Sequence, residues 1–299
     1  MNDVVALAKQ ETIDESSPDA ISSTVPCWRT VAVERWKHGQ LSDEDDRVAD
    51  EVPIAMVYNG ISHAVMLASP IGLESFGLGF SLTEGIIADQ SELFDLEVVV
   101  RSEGIELQME IAQQRFAALK EKRRSMAGRT GCGLCGAENL QHVVRHPAPV
   151  GAGCHITPKI LHEAFHQLRE HQPLQGITGA VHAAAWVSEH GQILFAQEDV
   201  GRHNALDKLI GTLALTRTEV ASGFVIVTSR ASYEMVQKTA SFGIALLAAI
   251  SAPTGLAIEL AKETGLTLIG FTRNDSHVIY ANPKRVRQSA VSKGNQDAH

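Results

Sequence analysis

The chain has 299 residues, a formal net charge of -9, and 44% hydrophobic and 20% charged residues, the proportions of an ordinary globular protein long enough for two domains. Its acidic balance excludes broad affinity for nucleic acid, so any polyanion must be met by a local basic groove. The longest apolar run, residues 244–250, is too short to cross a bilayer, and residues 1–17 are acidic with no apolar signal core, so the expected location is a reducing cytoplasm without membrane association.

Residues 1–25 are polar and acidic and read as a disordered tail. Residues 30–36 then alternate like a strand. Residues 53–58 and 61–67 predict a hairpin closed by Asn59-Gly60, a pair suited to the left-handed turn that joins twisted strands. Residues 74–87 place Phe76, Phe80, Leu82 and Ile86 at helical spacing despite several glycines, with Glu84-Gly85 at the end. Residues 96–100 and 105–111 alternate as two more strands.

The second half changes rhythm. Helices are expected over residues 158–169, 204–215 (capped by Asn204), 232–242 and 254–263, the last closed by Gly265. Strands are expected over 180–187, 193–197, 224–228, 244–249 and 266–271. Such alternation predicts an α/β fold with a largely parallel sheet. The expected organisation is a tail over residues 1–25, a smaller β-rich N-terminal domain over 26–117, and a basic linker with a cysteine loop over 118–155. An α/β domain follows over 156–283, then a tail over 284–299.

In open α/β sheets ligands sit beyond the carboxyl ends of the strands. The residues there are Thr228-Ser229-Arg230, Ser251-Ala252-Pro253-Thr254 and Thr272-Arg273-Asn274-Asp275-Ser276. They supply hydroxyls and two arginines, and the first two groups open helices whose amides favour anions. Asp199-Val200-Gly201-Arg202-His203-Asn204 adds a polar turn in which Arg202 and His203 exceed what capping requires. His182 lies among apolar residues and reads equally as a hydrogen-bonded core histidine or a ligand.

Gly131-Cys132-Gly133-Leu134-Cys135-Gly136 carries the most distinctive chemistry. Glycines on either side leave the loop open and adaptable. The run Lys120-Glu121-Lys122-Arg123-Arg124, with Arg129, favours the thiolate form of both cysteines or is simply a solvated linker. Cys27 and Cys154 stand alone and read as small apolar fillers. Several chemistries compete for the pair. Cys132, Cys135, His142 and His146 have a zinc-like order, but only six residues separate the pairs. A thioredoxin-like dithiol belongs where a strand meets a helix, which this segment does not match. A zinc deaminase needs a His-x-Glu ahead of Pro-Cys-x-x-Cys, and both the Glu and the Pro are missing. Sulfur carriage needs an exposed thiolate on a movable loop, with a second thiol to relay or discharge the sulfur.

Several segments, in order, resemble the formate dehydrogenase accessory sulfurtransferase family, FdhD/NarQ. They are Leu82-Thr83-Glu84-Gly85-Ile86-Ile87, Cys132-Gly133-Leu134-Cys135-Gly136, Glu198-Asp199-Val200-Gly201-Arg202-His203-Asn204-Ala205-Leu206-Asp207-Lys208, Ser229-Arg230-Ala231-Ser232-Tyr233-Glu234-Met235-Val236-Gln237-Lys238, Ser251-Ala252-Pro253-Thr254 and Leu266-Thr267-Leu268-Ile269-Gly270-Phe271. The resemblance runs over about residues 28–283. It implies a sulfur carrier that takes persulfide sulfur from a cysteine desulfurase onto Cys132, with Cys135 assisting. The sulfur then passes to the molybdenum cofactor in its bis(guanine dinucleotide) form, for formate dehydrogenase. It also implies a cytidine-deaminase-like second domain, a homodimer, and a cofactor-binding segment at Phe271, Thr272, Arg273, Asn274, Asp275 and Ser276. With Ser229, Arg230, Arg202 and His203 these make up the expected binding set, and no metal is expected to be held by the protein itself. The alternative is a non-catalytic chaperone that binds the cofactor and its client enzyme.

Overall fold

The computed structural model describes residues 25–127 and 146–287. Cys132, Cys135 and His142 lie outside the described residues, as do most of the two tails.

The chain begins with β1 (Trp28–Lys37) and β2 (Gln40–Ala49), an antiparallel ribbon closed by a tight turn at His38-Gly39, both with positive φ. β2 was not legible in the sequence because its Ser-Asp-Glu-Asp-Asp core lacks the β-branched and aromatic residues that mark strands. The ribbon is largely exposed on both faces, so no apolar alternation was required of it.

β3 (Val52–Tyr58) and β4 (Ile61–Ala68) form the expected hairpin, with Asn59 and Gly60 at φ 46° and 79°. Helix α1 (Leu73–Thr83) leads to β5 (Leu93–Arg101) and β6 (Gly104–Ile111), giving a four-stranded sheet in the order β4-β3-β6-β5 with β3 and β6 parallel. Alternate residues Ile54, Met56, Tyr58, Ile105, Leu107 and Met109 point to one face and bury against Phe76 and Phe80 of α1. Helix α2 (Gln113–Ala127) takes up the basic run at residues 120–124, which in the sequence reads as a linker.

After α3 (Pro158–Gln167), whose N-terminus is capped by Thr157, and the short α4 (Pro173–Thr178), a second sheet forms. Its elements are β7 (His182–Ser188), β8 (Ile193–Asp199), α5 (Arg202–Leu215), β9 (Gly223–Val227), α6 (Tyr233–Ser241), β10 (Leu246–Ala249), α7 (Gly255–Thr264), β11 (Thr267–Arg273) and β12 (Ser276–Ala281). The sheet order is β12-β11-β10-β9-β7-β8. Only β9–β10 and β10–β11 are parallel; β7–β8, β7–β9 and β11–β12 are antiparallel. The sheet is therefore mixed rather than largely parallel. The helical crossovers between residues 223 and 273 produce the parallel part, while short turns make β7–β8 and β11–β12 hairpins. β12 went unread because Asn274 and Asp275 look like a strand-end loop instead of the hairpin turn they form.

Strand alternation divides the core into two layers. Val225, Val227, Leu247, Ala249 and Leu268 pack under α5, α6 and α7, and Phe224, Ile226, Leu246, Ala248 and Ile269 pack under α3. Burial of β9 on both faces follows from this sandwiching. The cap of α5 differs from expectation: Gly201 holds the N-cap position, and Asn204 lies inside the helix with its Nδ2 donating to Asp199 Oδ1 and to the Leu67 carbonyl.

α1 crosses α5 backbone to backbone. A Cβ on Gly79 would overlap the Asp207 carbonyl oxygen, and one on Gly211 would overlap that of Ser75. This close approach explains helical glycines that otherwise cost about 1 kcal/mol each relative to alanine. It also ties the four-stranded sheet to the six-stranded one.

Candidate functional site

Because β7 is antiparallel to both of its neighbours, β8, β9, β10 and β11 run the same way. Their carboxyl ends therefore share one edge with the start of β7 and of β12. This edge gathers His182, Arg202, His203, Ser229, Arg230, Ser251, Thr272, Arg273, Asn274, Asp275 and Ser276 from distant parts of the sequence.

Backbone bonds stitch the edge together. Ala183 donates to Thr228 Oγ1 at 2.8 Å, Ala231 to the Ala252 carbonyl at 3.3 Å, and Phe271 to the Ser251 carbonyl at 3.1 Å. Phe271 sits in a bulge with φ 52°, a left-handed conformation that costs a non-glycine residue about 1 kcal/mol or more. Its ring is partly exposed, and the Arg273 guanidinium lies over it, 5.6 Å from the centroid. Asn274 and Asp275 follow, also with positive φ, and Arg273 pairs with Ser276 across the turn.

Arg202 and His203 form the first turn of α5, which has no side-chain cap. His203 Nε2 is 3.2 Å from Glu234 Oε2 and 3.5 Å from Ser232 Oγ, joining the starts of α5 and α6. Burial pushes the His203 pKa down against the pull of Glu234, and burial followed by the Arg202 charge lowers that of His182. Both imidazoles therefore favour the neutral form. Two buried polar atoms at this edge have no hydrogen-bond partner: Arg202 Nε and Thr272 Oγ1, the latter on a residue 1% exposed. Buried polar groups are rarely left unsatisfied, so each of these orphans suits an oxygen-bearing partner, as does the α5 N-terminus beside Arg202.

Other residues of the polar turns serve a different purpose. Asp199 and Lys208 are both 0% exposed and make an ion pair of 2.6 Å. Asp199 also accepts from Ser69 N, Gly201 N and Asn204 Nδ2, and Lys208 donates to the Ser69 carbonyl. A second group links Lys238 Nζ to Asp207 Oδ2 at 3.0 Å, Glu84 Oε1 at 2.9 Å and Thr83 Oγ1 at 2.9 Å. Burial raises the Asp207 pKa; for Lys238, burial opposes the charges of Asp207 and Glu84, which prevail and raise it. These charges hold α1 and the end of β4 against α5 and α6, and thereby fix the helix starts that present Arg202 and His203. Sequence reasoning missed this role. Its signal was the placement of Asp207-Lys208 and Lys238 in helices that are otherwise apolar on their inner faces.

The cysteine pair cannot be placed on this edge, since Cys132 and Cys135 fall outside the described residues. Of the zinc-like set only His146 is described, and its Nδ1 is 2.8 Å from Glu263 Oε1. Among the described residues no group of three or more His, Cys, Asp or Glu is arranged to hold a metal ion, and no helix is long and apolar enough to cross a membrane.

A mixed sheet flanked by helices, with polar strand ends, orphan donors and helix starts on one edge, defines the class as an α/β protein. The chain belongs to the FdhD/NarQ family, whose model matches residues 49–287. It is 54% identical over 265 residues to the sulfur carrier protein FdhD of Cupriavidus necator, covering 89% of this chain and 92% of that one. Its identity to the sulfur carrier protein FdhD of Variovorax paradoxus is 52% over 247 residues, covering 83% and 89% of the two chains. A crystal structure from Desulfotalea psychrophila, provisionally described as a formate dehydrogenase accessory protein, superposes with a TM-score of 0.68 at 25% identity, covering 88% of this chain and 100% of that one.

Proposed function

We propose that this chain is a sulfurtransferase that carries sulfur to the molybdenum cofactor, in its bis(guanine dinucleotide) form, for use by formate dehydrogenase. Its relatives' designation as sulfur carrier proteins supports the reading. The observation that carries it is the gathering of Arg202, His203, Ser229, Arg230 and residues 271–276 on one edge, with Arg202 Nε and Thr272 Oγ1 buried and without a partner. Phosphate oxygens would answer the arginines and the α5 N-terminus, and the Phe271 ring offers a face to a base.

In this reading the Cys132 thiolate attacks the outer sulfur of a cysteine desulfurase persulfide. A new S–S bond forms and the desulfurase thiolate leaves. Attack by the Cys135 thiolate on Cys132 of that persulfide then releases hydrosulfide for the cofactor. The two cysteines are oxidised to a disulfide as the transferred sulfur is reduced, and a cellular thiol resets the pair. The same reading includes a cytidine-deaminase-like second domain over residues 156–283, an N-terminal domain over 26–117, a linker over 118–155, a homodimer and a cytoplasmic location.

Mass spectrometry after incubation with a desulfurase and cysteine is expected to show one added sulfur in the wild type and none in Cys132→Ala. An unchanged wild-type mass would overturn the reading. The chaperone alternative needs only the polar edge, where Arg202 Nε and Thr272 Oγ1 are buried without a partner. It predicts that Cys132→Ala still matures formate dehydrogenase fully, whereas sulfur transfer requires that this activity be lost.

A further inference from the structure

Helix α3 carries His162-Glu163-Ala164-Phe165-His166, an H-E-x-x-H spacing that puts both imidazoles on one helix face, a turn apart. Helical zinc sites use this spacing because two ligands four residues apart reach one ion from a single rigid element. A pattern this short arises by chance, so what faces it decides its meaning. Opposite α3 stands the turn between β11 and β12, where Asp275 has φ 54°. His166 Nε2 lies 3.2 Å from Asp275 Oδ1, and His162 Nδ1 lies 4.0 Å from the same oxygen. Two imidazoles from one helix and a carboxylate from another element therefore converge.

The surroundings suit an ion as well. His162 Nε2 is 3.0 Å from Nδ1 of His277 on β12, and the two rings meet edge to face. His162 is mostly buried, with its side chain 15% exposed, whereas His166 and Asp275 reach solvent. Around them α3 contributes Leu161 and Phe165, β11 Ile269 and β12 Ile279. The cluster is thus apolar on its inner side and open on its outer one.

We propose that His162, His166 and Asp275 form a zinc(II) site that fastens α3 to the β11–β12 turn. Around tetrahedral zinc, nitrogen and oxygen ligands about 2.0–2.1 Å from the ion stand about 3.3 Å from one another. The His166–Asp275 separation is already close to that. As they stand, His162 and Asp275 are too far apart for an ion to be held. Their gap closes with a movement of about 0.7 Å, which a solvent-reaching carboxylate on a turn supplies without disturbing the core. His162 then ligates through Nδ1 and donates Nε2–H to His277 Nδ1, the outer hydrogen bond that metal-bound histidines make to fix their ring. Two imidazoles and a carboxylate suit zinc better than magnesium or calcium, and three protein ligands leave a fourth position for water. Glu163, the acid of the pattern, pairs with Lys159 at 3.7 Å, so the site is assigned a holding role and no hydrolytic step. The proposal does not depend on the sulfur-carrier reading, although Asp275 enters both.

Calorimetric titration with zinc chloride at about pH 7.5, where imidazole is neutral, tests it. The whole chain is used, carrying Cys132→Ser and Cys135→Ser so that those thiols do not compete for the metal. One equivalent of zinc is expected to bind. His166→Ala and Asp275→Asn change solvent-reaching positions, and asparagine accepts the left-handed turn. Each is expected to weaken zinc binding at least about tenfold, whereas His146→Ala, outside the site, keeps it within about threefold. Absence of zinc binding, affinity within about threefold of the parent in either His166→Ala or Asp275→Asn, or loss of binding in His146→Ala would overturn the inference.

Discussion

Replacing Lys208 by methionine tests the buried ion pair that fixes the start of α5. Lys208 Nζ and Asp199 Oδ2 are 2.6 Å apart with neither side chain exposed. At an effective dielectric of about 20, that separation corresponds to about 6 kcal/mol of attraction before desolvation is counted. Methionine fills the space but leaves the carboxylate without its cation. Three N–H donors, from Ser69, Gly201 and Asn204, remain on Asp199, so the loss is expected at the lower end of the range for a broken buried pair, about 3 kcal/mol. Urea unfolding followed by circular dichroism reads this as a lowered midpoint at unchanged slope. Asp199→Asn should cost a similar amount, and the double variant should lose at least about 1 kcal/mol less than the sum of the two losses, because the attraction of the pair is lost only once. Since Asp199 also holds the Gly201 amide and Asn204, Lys208→Met should weaken GDP binding through a displaced Arg202. A loss under about 1 kcal/mol in either single variant, or strict additivity, would refute the reasoning.

Gly211→Ala should destabilise the protein by about 3 kcal/mol or more, seen as a lowered melting temperature, because the added methyl meets the Ser75 carbonyl of α1 with no side chain able to move aside. Phe271→Gly should raise stability by up to about 1 kcal/mol in the same melt by relieving φ 52°. It should also weaken GDP binding by removing the ring that Arg273 covers; a loss of stability would show that the ring anchors the edge. Burial raises the Cys154 thiol from its ordinary value to about 11. Peptide mapping after alkylation at about pH 8 should therefore find Cys154 unmodified in the folded protein. That protonated thiol favours the folded state below the unfolded thiol value, and its contribution is lost as pH rises through about 11.

Much of the edge was legible before any tertiary structure, because strand ends in an α/β pattern expose whatever polar residues follow them. Thr272, Arg273, Asn274 and Asp275 stood out after an apolar run, as did Ser229-Arg230 and Arg202-His203. The hairpin at Asn59-Gly60 was legible because its left-handed turn needs those residue types. The acidic β2 was not, since a ribbon exposed on both faces imposes no pattern. His162, His166 and His277 looked ordinary because their contacts span more than a hundred positions.

By itself, the sequence determined what short-range physics dictates: apolar periods that set helices and strands, turn residues that close them, and the Cys132-Cys135 pair with its chemical options. The tertiary structure decided what depends on distant pairing. It set the direction of β7 and β12, and so made the sheet mixed. It buried Asp199, Asp207, Lys208 and Lys238, charges inside the motif segments, as joints between helices. A charge reads the same in a string whether it meets water, a ligand or its opposite across a helix crossing. Only the close approach of α1 to α5, which glycine at 79 and 211 permits, determines which of these it meets.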